Sequence, residues 1–336
     1  MKKLAFIGTK RKHGHKIRKL LKRGGLITMK RKIQILITTF FIVIVLSSPV
    51  MALSLDSFDF HGSLGKSENE RYVPPLANPL FNETPYITTE ARPLWIHNVI
   101  PGRFVTGGGT IDVIAIEIRV ALTERLGFIA SKDGYAVLDF DSVLPDTEGF
   151  VNISAGLKYA LISNHKEQTF VTVGFEYEPP TGNISTGGID LQGNGAQSDG
   201  GDGFMDLFVT GAKVYGKFGL QASTGVNLAI DGDHDSSLWH YSASFNYELF
   251  KNFFPLIEVN GLTTISDGNR TGVASFEGND IVNFGSTDSG TVVSISAGAR
   301  YKFNNHFQVG AGYERSVTGQ KDLLDWRTNF DFVISY

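Results

Sequence analysis

The stretch WRTNFDFVISY, residues 326–336, alternates in character along its length. Thr328, Phe330, Phe332, Ile334 and Tyr336 fall on one face of a strand, and Arg327, Asn329, Asp331 and Ser335 on the other. Val333 is the one misfit. A single alternating strand also fits a half-buried strand in a soluble sandwich, so recurrence and spacing decide its meaning.

The pattern recurs. In VNISAGLKYAL, residues 151–161, Val151, Ile153, Ala155, Leu157, Tyr159 and Leu161 oppose Asn152, Ser154, Gly156 and Lys158. WHYSASFNYEL, residues 239–249, sets Trp239, Tyr241, Phe245 and Tyr247 against His240, Ser242, Ser244, Asn246 and Glu248. Strands are expected near 87–99, 110–122, 126–135, 150–161, 168–178, 204–214, 217–230, 238–250, 253–265, 290–304, 306–317 and 326–336, with no segment of helical period. Most run about ten residues or more, the length a tilted membrane strand needs, against about 5–6 in soluble proteins.

The connections alternate too. TERL, SNHKEQ, YGK, KN and NN are short, whereas the intervening ones are long and rich in Gly, Asp, Asn and Ser. One rim of tight turns and one of large loops is the organisation of bacterial transmembrane barrels. The fold class is therefore all-β, a single antiparallel up-and-down transmembrane β-barrel of about 12 strands spanning 87–336. A closed barrel pairs its last strand with its first, which explains a chain that stays strand-like up to Tyr336.

Composition agrees. No cysteine occurs among 336 residues, which excludes disulfides and thiolate metal sites. The net charge of −3 hides an asymmetry: residues 1–52 hold thirteen of the 31 Lys and Arg and no Asp or Glu. Without them 18 basic residues face 34 acidic ones, a charge of −16. Lys30, Arg31 and Lys32, the apolar run Ile33 to Leu46, and Val50-Met51-Ala52 have the layout of a signal peptide over 29–52, cleaved after Ala52. Residues 1–28 read as a basic extension ahead of the true start at Met29, and residues 53–86 as a loosely packed periplasmic segment or a plug. Expected partners are outer-membrane lipid and lipopolysaccharide, the barrel insertion machinery and a small solute. No nucleic acid and no cofactor are expected, and oligomeric state is left open.

Phe330, Phe332, Ile334 and Tyr336 resemble the C-terminal insertion signal of bacterial outer-membrane β-barrel proteins, in which phenylalanine is the commoner last residue. The hairpin ARYKFNNHFQVGAGYE, residues 299–314, and the barrel size resemble porin-like outer-membrane transporters associated with aromatic-compound catabolism. The resemblance implies a location in the bacterial outer membrane and a role in solute passage.

Alternation directs Glu117, Arg119, Lys158, Glu176, Glu248, Glu258, Arg300, Lys302, Glu314, Arg327 and Asp331 into the lumen, beside Gly156, Gly298, Gly310 and Gly312. Charges of both signs would set the selectivity of a pore, or pair with one another and close it. DGDHDSS supplies Asp231, Asp233 and Asp235, the opening of a calcium loop, but Ser242 stands where an EF-hand needs its closing Glu. A channel for small solutes is the leading expectation, and a surface barrel that binds through its loops is the alternative. An outer-membrane lipid hydrolase is the lesser one, since its only suggestive cluster, His240 with Ser242 or Ser244, points inward.

Overall fold

A computed structural model describes residues 59–64, 71–191, 202–269, 280–282, 290–319 and 323–336. The basic extension, the signal peptide and Ala52 lie outside them.

Sixteen strands follow in chain order, with no helix among the described residues. They are β1 (Glu90–Ile100), β2 (Gly109–Ala121), β3 (Leu126–Ala130), β4 (Tyr135–Phe140), β5 (Thr147–Phe150), β6 (Ala155–Asn164), β7 (Thr169–Glu178), β8 (Ser185–Thr186), β9 (Ile189–Asp190), β10 (Phe204–Tyr215), β11 (Phe218–Ala229), β12 (Ser237–Tyr247), β13 (Phe253–Ser266), β14 (Thr291–Lys302), β15 (Phe307–Ser316) and β16 (Trp326–Ser335). Twelve close an antiparallel barrel in the order β1-β2-β3-β6-β7-β10-β11-β12-β13-β14-β15-β16, and β16 returns to β1 with Trp95 opposite Phe330 and His97 opposite Thr328. Strands β8 and β9 form a separate ribbon.

The wall departs from simple alternation at one place. Residues 126–135 and 150–161 were expected as two continuous strands joined by a loop. Instead the chain breaks at 131–134 and again at 151–154, and the intervening β4 and β5 pair with β2 and with each other. The lower part of β2 pairs β3 and its upper part pairs β4. Gly134 permits the break: its φ of +121° is one that a side chain resists, and an added Cβ would lie 2.6 Å from the Ile114 carbonyl oxygen.

The barrel is inverted relative to a soluble protein. Ile114, Ile116 and Ile118 are 70%, 40% and 40% exposed, whereas Glu117 and Arg119 between and beside them are buried. Leu220, Phe245, Ile257, Ile295, Phe330 and Ile334 continue this exposed apolar belt around the outside. Aromatic rings mark the strand ends at the short turns, with Phe250 against Phe253, Tyr301 against Phe303 and Phe307 against Phe332. Val333, out of phase with its neighbours, faces inward and is fully buried against Tyr72, Tyr86 and Phe170. The misfit thus has a partner inside the barrel.

Candidate functional site: a lumen filled by the chain ahead of the first strand

Residues 71–89 lie inside the barrel. They are packed there, not loosely held. The segment enters at the rim of short turns, where the Arg71 guanidinium donates to the carbonyl oxygens of Gly216 at 2.7 Å and Lys217 at 2.5 Å. It climbs to a turn at Asn78, whose carbonyl oxygen accepts from the amides of Phe81 (3.2 Å) and Asn82 (2.9 Å). It then descends to Ile87, buried against Ala121 and Ala160, and continues into β1.

The segment has no regular structure because its polar groups are met by side chains of the wall. Arg300 Nε donates to the Pro74 oxygen (3.0 Å) and an Arg92 nitrogen to the Pro75 oxygen (2.8 Å). Thr210 Oγ1 reaches the Glu83 carbonyl at 2.7 Å, Lys158 Nζ the Thr84 carbonyl at 2.9 Å and Thr172 Oγ1 the Pro85 carbonyl at 2.6 Å. In the other sense, the Glu258 carboxylate accepts from the amides of Leu76 (2.9 Å) and Ala77 (2.6 Å). Buried backbone groups must be paired somewhere, and Pro74 and Pro75 have no N–H to pair.

A chain of ion pairs runs around the wall and through the segment. Arg300 binds Asp331 (2.8 Å), Asp331 binds Arg92 Nε (2.7 Å), and Arg92 binds Glu117 (3.2 Å). Glu117 binds Arg119 (2.9 Å), and Arg119 holds both oxygens of Glu83 at 2.9 and 2.5 Å. Lys158 completes the chain on Glu83 at 2.7 Å. All seven side chains are buried, and Glu83 is the member supplied by the inserted segment. A second group lies near the rim of long loops, where Arg327 Nε binds Glu314 at 2.6 Å and another guanidinium nitrogen binds Asp280. The Arg119 fork on Glu83 is the bidentate geometry that fixes position as well as charge.

Shape reinforces charge. Leu76 fills a socket floored by glycine. A Cβ on Gly310 would sit 2.3 Å from Leu76 Cδ2, and one on Gly298 would sit 2.7 Å from Leu76 Cδ1. Phe81, near the top of the segment, stacks on His240 at 4.8 Å, and His240 Nε2 lies 2.8 Å from Asp206 Oδ1.

Of the residues read from the sequence, Glu117, Arg119, Lys158, Glu258, Arg300, Glu314, Arg327 and Asp331 are buried in the lumen and belong to these contacts. Glu176 is buried at the break in the wall, where its carboxylate takes the amide and hydroxyl of Ser131 at 3.1 and 2.5 Å. Glu248 and Lys302 are only half-buried and line a polar mouth of about 850 Å3 at the short-turn rim, with Arg71, Lys166 and Lys213. Asp231 is occupied by its own turn: it accepts from the Asp233 amide (3.1 Å), and its other oxygen lies 2.9 Å from His234 Nδ1. No group of three or more His, Asp or Glu side chains among the described residues is placed to hold a metal. His240, Ser242 and Ser244 all point inward, and Ser244 donates to Glu258 at 2.8 Å.

Four members of these ionic contacts escaped the sequence reading: Glu83, Arg92, Asp280, and Glu90, whose carboxylate lies 3.2 Å from Arg119. The inner face of β1 reads Glu90, Arg92, Leu94, Ile96, Asn98, Ile100, mixing charge with apolar residues. Its outer face carries His97, 3.0 Å from Asp112, so β1 shows no clean alternation. The available signal was Glu90 and Arg92 two residues apart at the start of a strand, as Glu117 and Arg119 are on β2.

No family model matches this chain, and no curated protein matches it in sequence. In structure it is similar to an outer-membrane channel from Pseudomonas putida F1, with a TM-score of 0.55 and 14% identity over 79% of this chain and 100% of that one. Looser likenesses are the NanC porin (TM-score 0.43, 7% identity, 74% and 99% covered) and the translocator domain of the autotransporter NalP from Neisseria meningitidis (0.45, 12%, 74% and 87%). The fold is therefore that of an outer-membrane β-barrel.

Proposed function

We propose that this protein is an outer-membrane channel for small solutes that its own N-terminal segment holds shut, and that solutes pass when residues 71–89 shift within the lumen. The observation that carries this reading is the Glu83 clasp. A segment meant only to fill a barrel could be apolar, as protein cores are. Here it is held by Arg119, Lys158, Arg92, Arg300 and Glu258, in contacts that water or a polar solute can replace one at a time. The mouth of about 850 Å3 on one side of the segment contrasts with cavities of about 20–30 Å3 around its tip, room for single water molecules. The inserted segment closes the passage directly above this mouth.

In this reading the exposed apolar belt meets lipid, the short turns face the periplasm, and the long loops face the exterior. Lipid hydrolysis at His240 is disfavoured by its position: the ring is fully buried under Phe81, inside the barrel and away from lipid.

Single-channel recording of the purified protein in a planar bilayer tests the proposal. The wild type should give brief, rare conductance steps, and Glu83→Gln, which removes the charge from the clasp, should make them frequent. A folded barrel that stays silent in both forms would sink it.

A further inference from the structure

The tip of the inserted segment ends under a small cavity that is chemically unfinished. Asn78, 1% exposed and held in the left-handed region at a φ of +51°, presents its side chain there with neither Oδ1 nor Nδ2 hydrogen-bonded. Across the cavity, Asn260 uses its amide nitrogen on Glu314 (3.1 Å), and its Oδ1 has no partner. Asp280 spends one oxygen on Arg327 and leaves the other, Oδ1, buried and unpartnered. Leaving buried polar atoms unpaired costs about 1–3 kcal/mol each, so several at one place call for an occupant.

The chemistry of that occupant can be read from what is missing. The unpaired set is three acceptor oxygens and one donor nitrogen. The ionic balance points the same way, because the carboxylates of Asp280 and Glu314 share the single guanidinium of Arg327. A donor-rich, positively charged group answers both deficits. Apart from Asn98 and Ser294 the remaining lining is apolar and includes Ile281, Leu323 and Leu324, which suits a hydrocarbon body behind the charged head.

We propose that this cavity is a recognition site for small organic ammonium ions bearing an apolar body, with the head bound between Asn78, Asn260 and Asp280. Its free volume of about 20 Å3 holds one water molecule. A larger ligand fits only if the turn of the inserted segment backs away and widens the cavity, with the Asn78 side chain still turned onto the head. Binding therefore couples to opening. This coupling rests on the reading of residues 71–89 as a gate; the binding itself does not.

Calorimetry on the detergent-purified full chain tests the binding. The probes are butylammonium, 1-butanol, which has one donor and no charge, and butyltrimethylammonium, which has the charge without N–H donors. Butylammonium should bind saturably, and each of the other two about tenfold or more weakly, because a hydrogen bond to a charged group is worth about 1.5–3 kcal/mol. Asp280→Asn and Asn78→Gly, the latter keeping the left-handed turn, should each weaken butylammonium by about tenfold. Saturable binding that neither substitution changes would place the ligand elsewhere and overturn the proposal. So would the absence of saturable heat up to high millimolar probe, which would mean that the unpaired atoms are served by water alone. Conductance separates the two readings. Butylammonium binding without any change in channel opening would leave the site and defeat the gate. Frequent opening of Glu83→Gln without butylammonium binding would leave the gate and defeat the site.

Discussion

The two halves of the lumen are filled by different means. Towards the short turns the inner wall is charged, and Arg119, Arg92, Arg300 and Lys158 grip an extended strip of backbone and one carboxylate. Towards the long loops the inner wall of β1, β2 and β4 is apolar, opposite the polar side that carries His240, Glu314 and Arg327. Leu94, Ile96, Ile111, Val113 and Leu138 pack there against Phe104, Ile184, Leu191, Ile281 and Leu323, which the loops fold inward. Apolar packing is dense, non-directional and lost as a unit. Paired charges hold one register and can be exchanged pair by pair for water or solute. The difference assigns rigidity to the loop half and movement to the segment in the charged half. Perturbing each half should therefore give separable results.

The largest effect is expected from Arg119→Ala. It strips Glu83, Glu90 and Glu117 of their shared cation, and removing one partner of a buried ion pair costs about 3–5 kcal/mol. That penalty falls on the docked segment, so recorded openings should rise steeply while heat-modifiable gel mobility still shows a folded barrel. Loss of the folded band together with silence would mean that the charged half is scaffold.

Leu138→Ala is the counterpart in the apolar half. Leu138 is fully buried in β4, and truncating a buried leucine costs about 2–5 kcal/mol. The gel-shift temperature should fall with no gain in conductance. A gain would erase the division between the halves.

Gly310→Val acts on the segment through shape alone. Its side chain would occupy the space of Leu76 Cδ2, and overpacking of this kind costs about 1–3 kcal/mol. Openings should increase, but less than in Arg119→Ala. Asp233→Asn is the smallest change, at an exposed turn position, where substitutions stay within about 0.5 kcal/mol. Neither the gel-shift temperature nor conductance should move, and calcium should shift neither.

How much of this was legible in the sequence follows from what each element pairs with. Strands that pair with strands on both sides and face water or charge inside and lipid outside carry period 2, and β11, β12, β15 and β16 could be read directly. The inward charges followed from the same alternation. Residues 71–89 carry no period because their partners are side chains scattered over most of the wall, among them Thr172, Thr210 and Glu258, far away in sequence. Only Pro74-Pro75, sparing two donors inside a barrel, hinted at the arrangement. The breaks at 131–134 and 151–154 were hidden because β4 and β5 are short and sit in a stretch whose Asp and Pro content reads as loop. Asp280 sits in one of the long connections rich in Gly, Asp, Asn and Ser, where nothing in the sequence marks it as the inward partner of Arg327.

The most direct test of the central claim uses the absence of native cysteine. Leu76 Cβ lies 3.4 Å from where a Cβ on Gly312 would stand, close to the roughly 3.5–4.5 Å that a disulfide spans. The double variant Leu76→Cys with Gly312→Cys would tie the inserted segment to the wall of β15. Conductance recorded first oxidised and then after reduction in the same bilayer should go from silence to discrete steps. Equal conductance in both states would show that solutes pass without movement of residues 71–89, and would contradict the account.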